Sequence, residues 1–113
     1  MIDRISTHIL NTTLGVPALG IPGVIERLET GGHWLKVGAG TSDADGRIGQ
    51  INGMPVAPGD FRITLDTADY FQAMAGAVFY PSIVLSFRLD GARSHYHLPV
   101  LASTYSYSTY LGS

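Results

Sequence analysis

Four histidines and one well-placed arginine are the side chains of this sequence best suited to moving a proton or holding an anion. His95 and His97 stand two apart, so an extended strand projects both from one face, where imidazoles can serve as bases or as metal ligands. His8 lies in a second strand-like segment and would be the third ligand of a metal site, but no acidic residue lies in the same segments to complete the set. His33 follows Gly31 and Gly32 in a turn and reads as a surface imidazole. Arg47 comes directly after Asp43-Ala44-Asp45-Gly46, a tight turn in which Gly46 can take positive φ. The guanidinium is thereby presented at the start of the next strand, either for a ligand or simply to solvent. There is no cysteine, hence no thiolate nucleophile, no disulfide and no cysteine-ligated metal. No Gly-x-Ser-x-Gly elbow occurs, no acid pair shares a strand face, and the serines lack a neighbouring base by sequence. These residues leave an enzyme and a binding module both open.

The elements that must position them are mostly strands. Phe61, Ile63 and Leu65 alternate with Arg62, Thr64 and Asp66, and Ile83, Leu85, Phe87 and Leu89 alternate with Ser82, Ser86 and Arg88, the period of half-buried strands. Further strands are expected over Ile5–Leu10, Val24–Glu29, Trp34–Val37, Ser94–Leu101 and Tyr107–Leu111, separated by Gly, Pro, Asn and Asp clusters. One short helix is expected over Thr67–Ala75, where Phe71, Met74 and Ala75 recur at helical intervals, Asp66 or Thr67 can cap, and Gly76 follows. The expected fold is all-β, a two-sheet antiparallel β-sandwich with one short helix, and the 113 residues suit one domain spanning 1–113.

Composition narrows the partners. Hydrophobic residues make up 45% and charged residues 14%, which marks a folded chain, and the 14 glycines and 6 prolines mark one rich in turns. A net charge of -2, with 7 basic residues spread along the length, gives no footprint for nucleic acid or an anionic membrane. No apolar run is long enough for a signal peptide or a membrane span, so the expectation is a soluble, cytoplasmic protein. From Ser94 to Ser113 there is no Asp, Glu, Lys or Arg, while four tyrosines supply aromatic surface. Such a strand is either buried in the monomer or paired to another subunit, and a homo-oligomer is the favoured expectation.

Four motifs, in this order, resemble those of the 5-hydroxyisourate hydrolases, the transthyretin-like enzymes of urate breakdown: Ser6-Thr7-His8-Ile9-Leu10-Asn11, Ser42-Asp43-Ala44-Asp45-Gly46-Arg47, His95-Tyr96-His97-Leu98-Pro99 and Ser106-Tyr107-Ser108-Thr109-Tyr110-Leu111-Gly112-Ser113. The likeness runs from about Ile5 to Ser113. It implies a prealbumin-like, or transthyretin-like, sandwich assembled as a homotetramer, a dimer of dimers, with active sites in the clefts where dimers meet. It also implies hydrolysis of 5-hydroxyisourate to 2-oxo-4-hydroxy-4-carboxy-5-ureidoimidazoline, with no metal or organic cofactor. The functional residues carried over are His8, Arg47, His97 and the closing tetrapeptide Tyr110, Leu111, Gly112 and Ser113. The family ends Tyr-Arg-Gly-Ser, so Leu111 stands where a cation is expected and lowered activity is anticipated.

On that resemblance, His97 is expected to take a proton from the attacking water and return it to the departing ring nitrogen, with His8 orienting the water or sharing the proton. Arg47 would hold the substrate's imide oxygens and the developing oxyanion, and lower the pKa of nearby histidines. Tyr110, on one face with Ser108, is expected to narrow the cleft, and alternation is expected to turn Leu111 to the opposite face. Ser113 either bonds substrate or anchors the tail. The competing expectation is a transthyretin-like carrier of small aromatic ligands in the channel between dimers, against which the ionisable residues argue.

Overall fold

In the computed structural model, which describes residues 1–113, nine strands and one helix follow in the order β1 (Arg4–Asn11), β2 (Val16–Pro17), β3 (Pro22–Leu28), β4 (Trp34–Thr41), β5 (Arg47–Ile48), β6 (Gly59–Asp66), α1 (Ala68–Ala75), β7 (Ser82–Leu89), β8 (His95–Ala102) and β9 (Tyr107–Thr109). They form two sheets. One has the order β4-β3-β6-β7; the other runs β2-β1-β8-β9, with β5 also paired to β1. The alternation seen in the sequence is what packs them: Phe61, Ile63 and Leu65 of β6 are fully buried, facing a core that also takes Ile5 and Ile9 of β1 and Val100 of β8. Each such side chain contributes about 1.5–3 kcal/mol by leaving water.

Every ladder is antiparallel as expected except one: β1 and β8 run parallel, with Arg4 opposite His95, Ser6 opposite His97 and His8 opposite Pro99. Parallel neighbours need a long crossover, and here the crossover is the whole second sheet together with α1. The helix begins at Ala68 with Thr67 as its N-cap residue and ends at Gly76, which takes φ 67° and donates to the Gln72 carbonyl. Tyr70 and Phe71 are its buried residues, whereas Met74 is half exposed, because the helix touches the core along only one edge.

The boundaries of β1, β3, β8 and α1 differ from expectation by one or two residues, and those of β4 and β9 depart for identifiable reasons. β4 continues to Thr41, since its ladder with β3 runs on from Gly38 to Thr41. β9 stops at Thr109 because the residue facing the next position is Pro99, which has no N–H to offer the ladder. Thr109 spends its hydroxyl on the Pro99 carbonyl at 2.8 Å, and main-chain pairing resumes only where the Gly112 N–H donates to His97 O, also at 2.8 Å.

Candidate active site

The parallel register builds the site. Successive residues of a strand face opposite ways, so Ile5, Thr7 and Ile9 go to the interior while Arg4, Ser6 and His8 share the other face of β1. Beside them on β8, Tyr96, Leu98 and Val100 are buried, which turns His95 and His97 outward next to Arg4 and Ser6. On the other flank of β1, β5 sets Arg47 opposite His8. The result is a pocket of about 350 Å³ with no hydrophobic residue in its lining, in which Arg4, Ser6, Arg47, His95, His97 and Ser113 take part.

The turn before Arg47 is held from several directions. Asp43 accepts the backbone N–H groups of Asp45 and Arg47 on Oδ1, both at 2.9 Å, and the Gly46 N–H on its carbonyl at 2.9 Å. Gly46 has φ 77°, and a Cβ there would stand 2.3 Å from the Ile9 carbonyl oxygen, so the turn lies against β1 as only glycine allows.

Ser6 is the centre of the polar network. Its hydroxyl lies 2.7 Å from His95 Nε2 and 2.7 Å from His97 Nδ1, and His95 Nδ1 lies 3.2 Å from Arg4 Nη2. The His8 and His97 ring centroids are 6.4 Å apart, and His8 Nε2 lies 2.8 Å from the Asp45 carbonyl oxygen. Burial pushes the His97 pKa below the ordinary histidine value, and the positive charge of Arg47 adds to it, with smaller contributions from His8, His95 and Arg4. Burial followed by Arg4 lowers that of His95. Neutral imidazoles beside a permanent cation can hold a water and stabilise negative charge growing on a carbonyl oxygen. No group of three or more His, Asp or Glu side chains is arranged to hold a metal ion.

The C-terminal residues divide between two places. Gly112 is buried against His97: a Cβ would stand 3.0 Å from both His97 Cδ2 and His97 O, and its own carbonyl accepts from Arg93 Nη1 at 2.8 Å. Arg93 is aimed there by the turn in which Tyr96 donates to Asp90 at 2.8 Å and accepts the Arg93 N–H at 3.2 Å. Ser113 then reaches the polar pocket. Tyr110 and Leu111 do not. Past the interruption at Pro99 strand alternation no longer applies to them, and both line a separate apolar trough of about 710 Å³ with Val84, Phe87, Leu98 and Tyr107. Leu111 therefore does not turn away from Tyr110. Ser108, opposite Leu101 in the β8–β9 ladder, lines neither cavity.

Of the residues singled out in the sequence, Arg47, His97 and Ser113 line one pocket, and His8 stands beside it with its ring facing His97. Arg4 and Ser6 were missed. The rule that paired His95 with His97 also sets Arg4, Ser6 and His8 on one face, and applying it to β1 would have found them. Nothing local marks Arg93, whose partner is 19 residues away.

A profile of the HIUase/Transthyretin family matches residues 5–112. The 5-hydroxyisourate hydrolase of Salmonella typhimurium is 39% identical over 110 residues, which cover 96% of this chain and 80% of that protein. Among solved structures, 5-hydroxyisourate hydrolase from Klebsiella pneumoniae superposes with a TM-score of 0.80 at 31% identity, over 97% of this chain and 99% of that one. Transthyretin from Sparus aurata superposes with a TM-score of 0.88 at 25% identity, over 96% of both chains.

Proposed function

The chain belongs to the HIUase/Transthyretin family, and on that footing we propose that it hydrolyses 5-hydroxyisourate by attack of water on a ring lactam carbonyl. The observation that carries this reading is the polar pocket, where the imidazoles of His95 and His97 and the guanidiniums of Arg4 and Arg47 converge with no hydrophobic residue in the lining. A small, planar, oxygen-rich substrate is matched to such a site, whose donors can grip its carbonyl oxygens. His8, Arg47 and His97 are the proposed catalytic residues. Ser113 is proposed to bond substrate, and Gly112 to seat the tail against His97.

The working form is proposed to be a homotetramer. β7 and β9 each form one outer edge of their sheet, and Tyr107, Tyr110 and Leu111 lie exposed near that end of the molecule. Exposed edges and apolar surface of this kind suit pairing with further copies, which would bring Ser108, Tyr110 and Leu111 to the border of a shared cleft. Sedimentation at the mass of four chains is the check.

The apolar trough favours a second reading, a carrier of small aromatic ligands, since its walls are mostly aromatic and aliphatic, with Arg88 and Asp90 its only charged residues and no histidine among them. One experiment separates the two. Ultraviolet decay of freshly generated 5-hydroxyisourate is followed with the protein, with His97→Ala and with Leu111→Arg, against the uncatalysed rate. Acceleration that His97→Ala removes is the expected result, with Leu111→Arg faster than the parent. Decay at the uncatalysed rate in all three overturns the hydrolase in favour of the carrier.

A further inference from the structure

We propose that Arg4, Ser6 and His95 form a one-way hydrogen-bond chain that fixes the proton of His97 on Nε2, making His97 the donor of the site and leaving His8 as its base. This rests on the hydrolase reading of the same pocket and exchanges the roles expected from the motifs. The sense of the chain follows from its first member. A guanidinium donates and never accepts, so His95 Nδ1, 3.2 Å from Arg4 Nη2, contributes its lone pair and the neutral ring carries its proton on Nε2. That proton is given to Ser6 Oγ at 2.7 Å. Buried Ser6 Oγ has no protein partner besides these two rings, so its one hydroxyl proton goes to His97 Nδ1, also at 2.7 Å, which leaves the His97 proton on Nε2. Burial and the neighbouring cations hold both rings below the ordinary histidine pKa, which keeps them neutral. His97 Nε2 has no hydrogen-bond partner in the protein and is not sealed from solvent, so the N–H is open to the pocket.

His8 is set the other way by the same accounting. Its Nε2 lies 2.8 Å from the Asp45 carbonyl oxygen, which can only accept, so the proton is on Nε2 and the free lone pair on Nδ1. Nδ1 also lacks a protein partner and is not sealed from solvent. The charged and titratable groups around the two rings are Arg4 on β1, Arg47 on β5 and His95 on β8, with Asp43 and Asp45 in the turn before β5; Asp43 is engaged by backbone N–H groups.

In the resulting step, His8 Nδ1 removes a proton from water as the water oxygen bonds to the lactam carbon. The carbonyl π pair moves onto its oxygen, which accepts from His97 Nε2–H and from Arg47. When that pair re-forms the carbonyl, the carbon–nitrogen bond breaks and the nitrogen takes back the proton held by His8. The second water proton stays on the new carboxyl group until it passes to solvent. His97 gives up no proton, so Arg4, Ser6 and His95 are positioning residues and not catalytic ones.

The test reverses the chain. Arg4 is exposed, so the Arg4→Glu chain is expected to fold, and its carboxylate can only accept. With 15N-labelled histidine at about pH 9, where the rings are neutral, long-range proton–nitrogen spectra report which nitrogen is protonated. The expected result is His97 protonated on Nε2 in the parent and in Arg4→Lys, and on Nδ1 in Arg4→Glu. Turnover should fall by about 100-fold in Arg4→Glu with KM nearly unchanged, the cost of losing one oxyanion donor, and Arg4→Lys should restore most of it. The acidic limb of kcat/KM should vanish in His8→Asn and persist in His97→Asn. A parent His97 protonated on Nδ1, an Arg4→Glu spectrum unchanged at His97, or an acidic limb lost with His97→Asn overturns the proposal. The spectra need no substrate, so a failure of the hydrolase itself, seen as a parent without activity, is told apart from a failure of the chain.

Discussion

At the scale of single residues, Arg47 concentrates the electrostatics of the pocket. It is held at the main chain by Asp43, stands opposite His8, and is the foremost cation acting on His97. A second arginine on the other sheet gives the comparison: Arg62 pairs with Glu26 at 2.7 Å and stacks over Trp34 at 4.2 Å, far from any proposed chemistry. Arg47→Ala is expected to lose about 2–4 kcal/mol of transition-state stabilisation, the scale of an oxyanion donor, while Arg62→Ala leaves kcat/KM near the parent value. Steady-state rates of the two variants check this, and equal losses would remove Arg47 from the mechanism. Gly112 shows the opposite case, a residue without chemistry whose missing Cβ lets the tail lie against His97.

At the scale of elements, the turn Asp43–Gly46 decides where β5 begins and therefore where Arg47 points. The Gly46 carbonyl accepts the Ile9 N–H at 2.7 Å, so the turn is stitched to β1 as well as closed on itself. Gly46→Ala meets two penalties together, a positive φ and a Cβ placed 2.3 Å from backbone. It should cost roughly 1–3 kcal/mol from the dihedral alone and more from the clash. Thermal unfolding is the measurement, and a midpoint equal to the parent's would show that the turn carries no strain. The turn, the helix and the alternating strands β6 and β7 were all legible beforehand, because each is set by neighbours within a few residues. The two-residue strand β2 was not, and of β5 only its start at Arg47 was, since segments so short carry no period and exist only through pairing with β1.

At the scale of the whole molecule, stability should depend on acid through groups whose pKa values folding lowers. His95 and His97 are held down by burial first, and Asp90 by the Ala92 N–H and then the Tyr96 hydroxyl. A folded pKa below the unfolded one means the unfolded chain binds more protons, so this stability is complete above the unfolded pKa and is lost as pH falls towards the folded one. Loss through the histidines should begin below about pH 6.5, and through Asp90 below about pH 3.9. Melting temperatures across that range should decline in two stages, the first flattened in the His95→Asn/His97→Asn double variant. A first stage that persists in the double variant would assign it to other groups.

What the sequence determined by itself is local: the face each strand residue takes, the pairing of His95 with His97, the turn that presents Arg47, and motifs sufficient to point to the family. Those follow from backbone geometry over two to five residues. The tertiary structure decided the rest. Ser6 and His97 are 91 residues apart, and only the parallel register of β1 with β8 brings the hydroxyl between two imidazoles. That register is chosen by the packing of both sheets around one core, and the direction of a hydrogen-bond chain exists only once all its members are assembled. The division of the tail at Pro99 has the same origin, because a missing N–H matters only where another strand needs it.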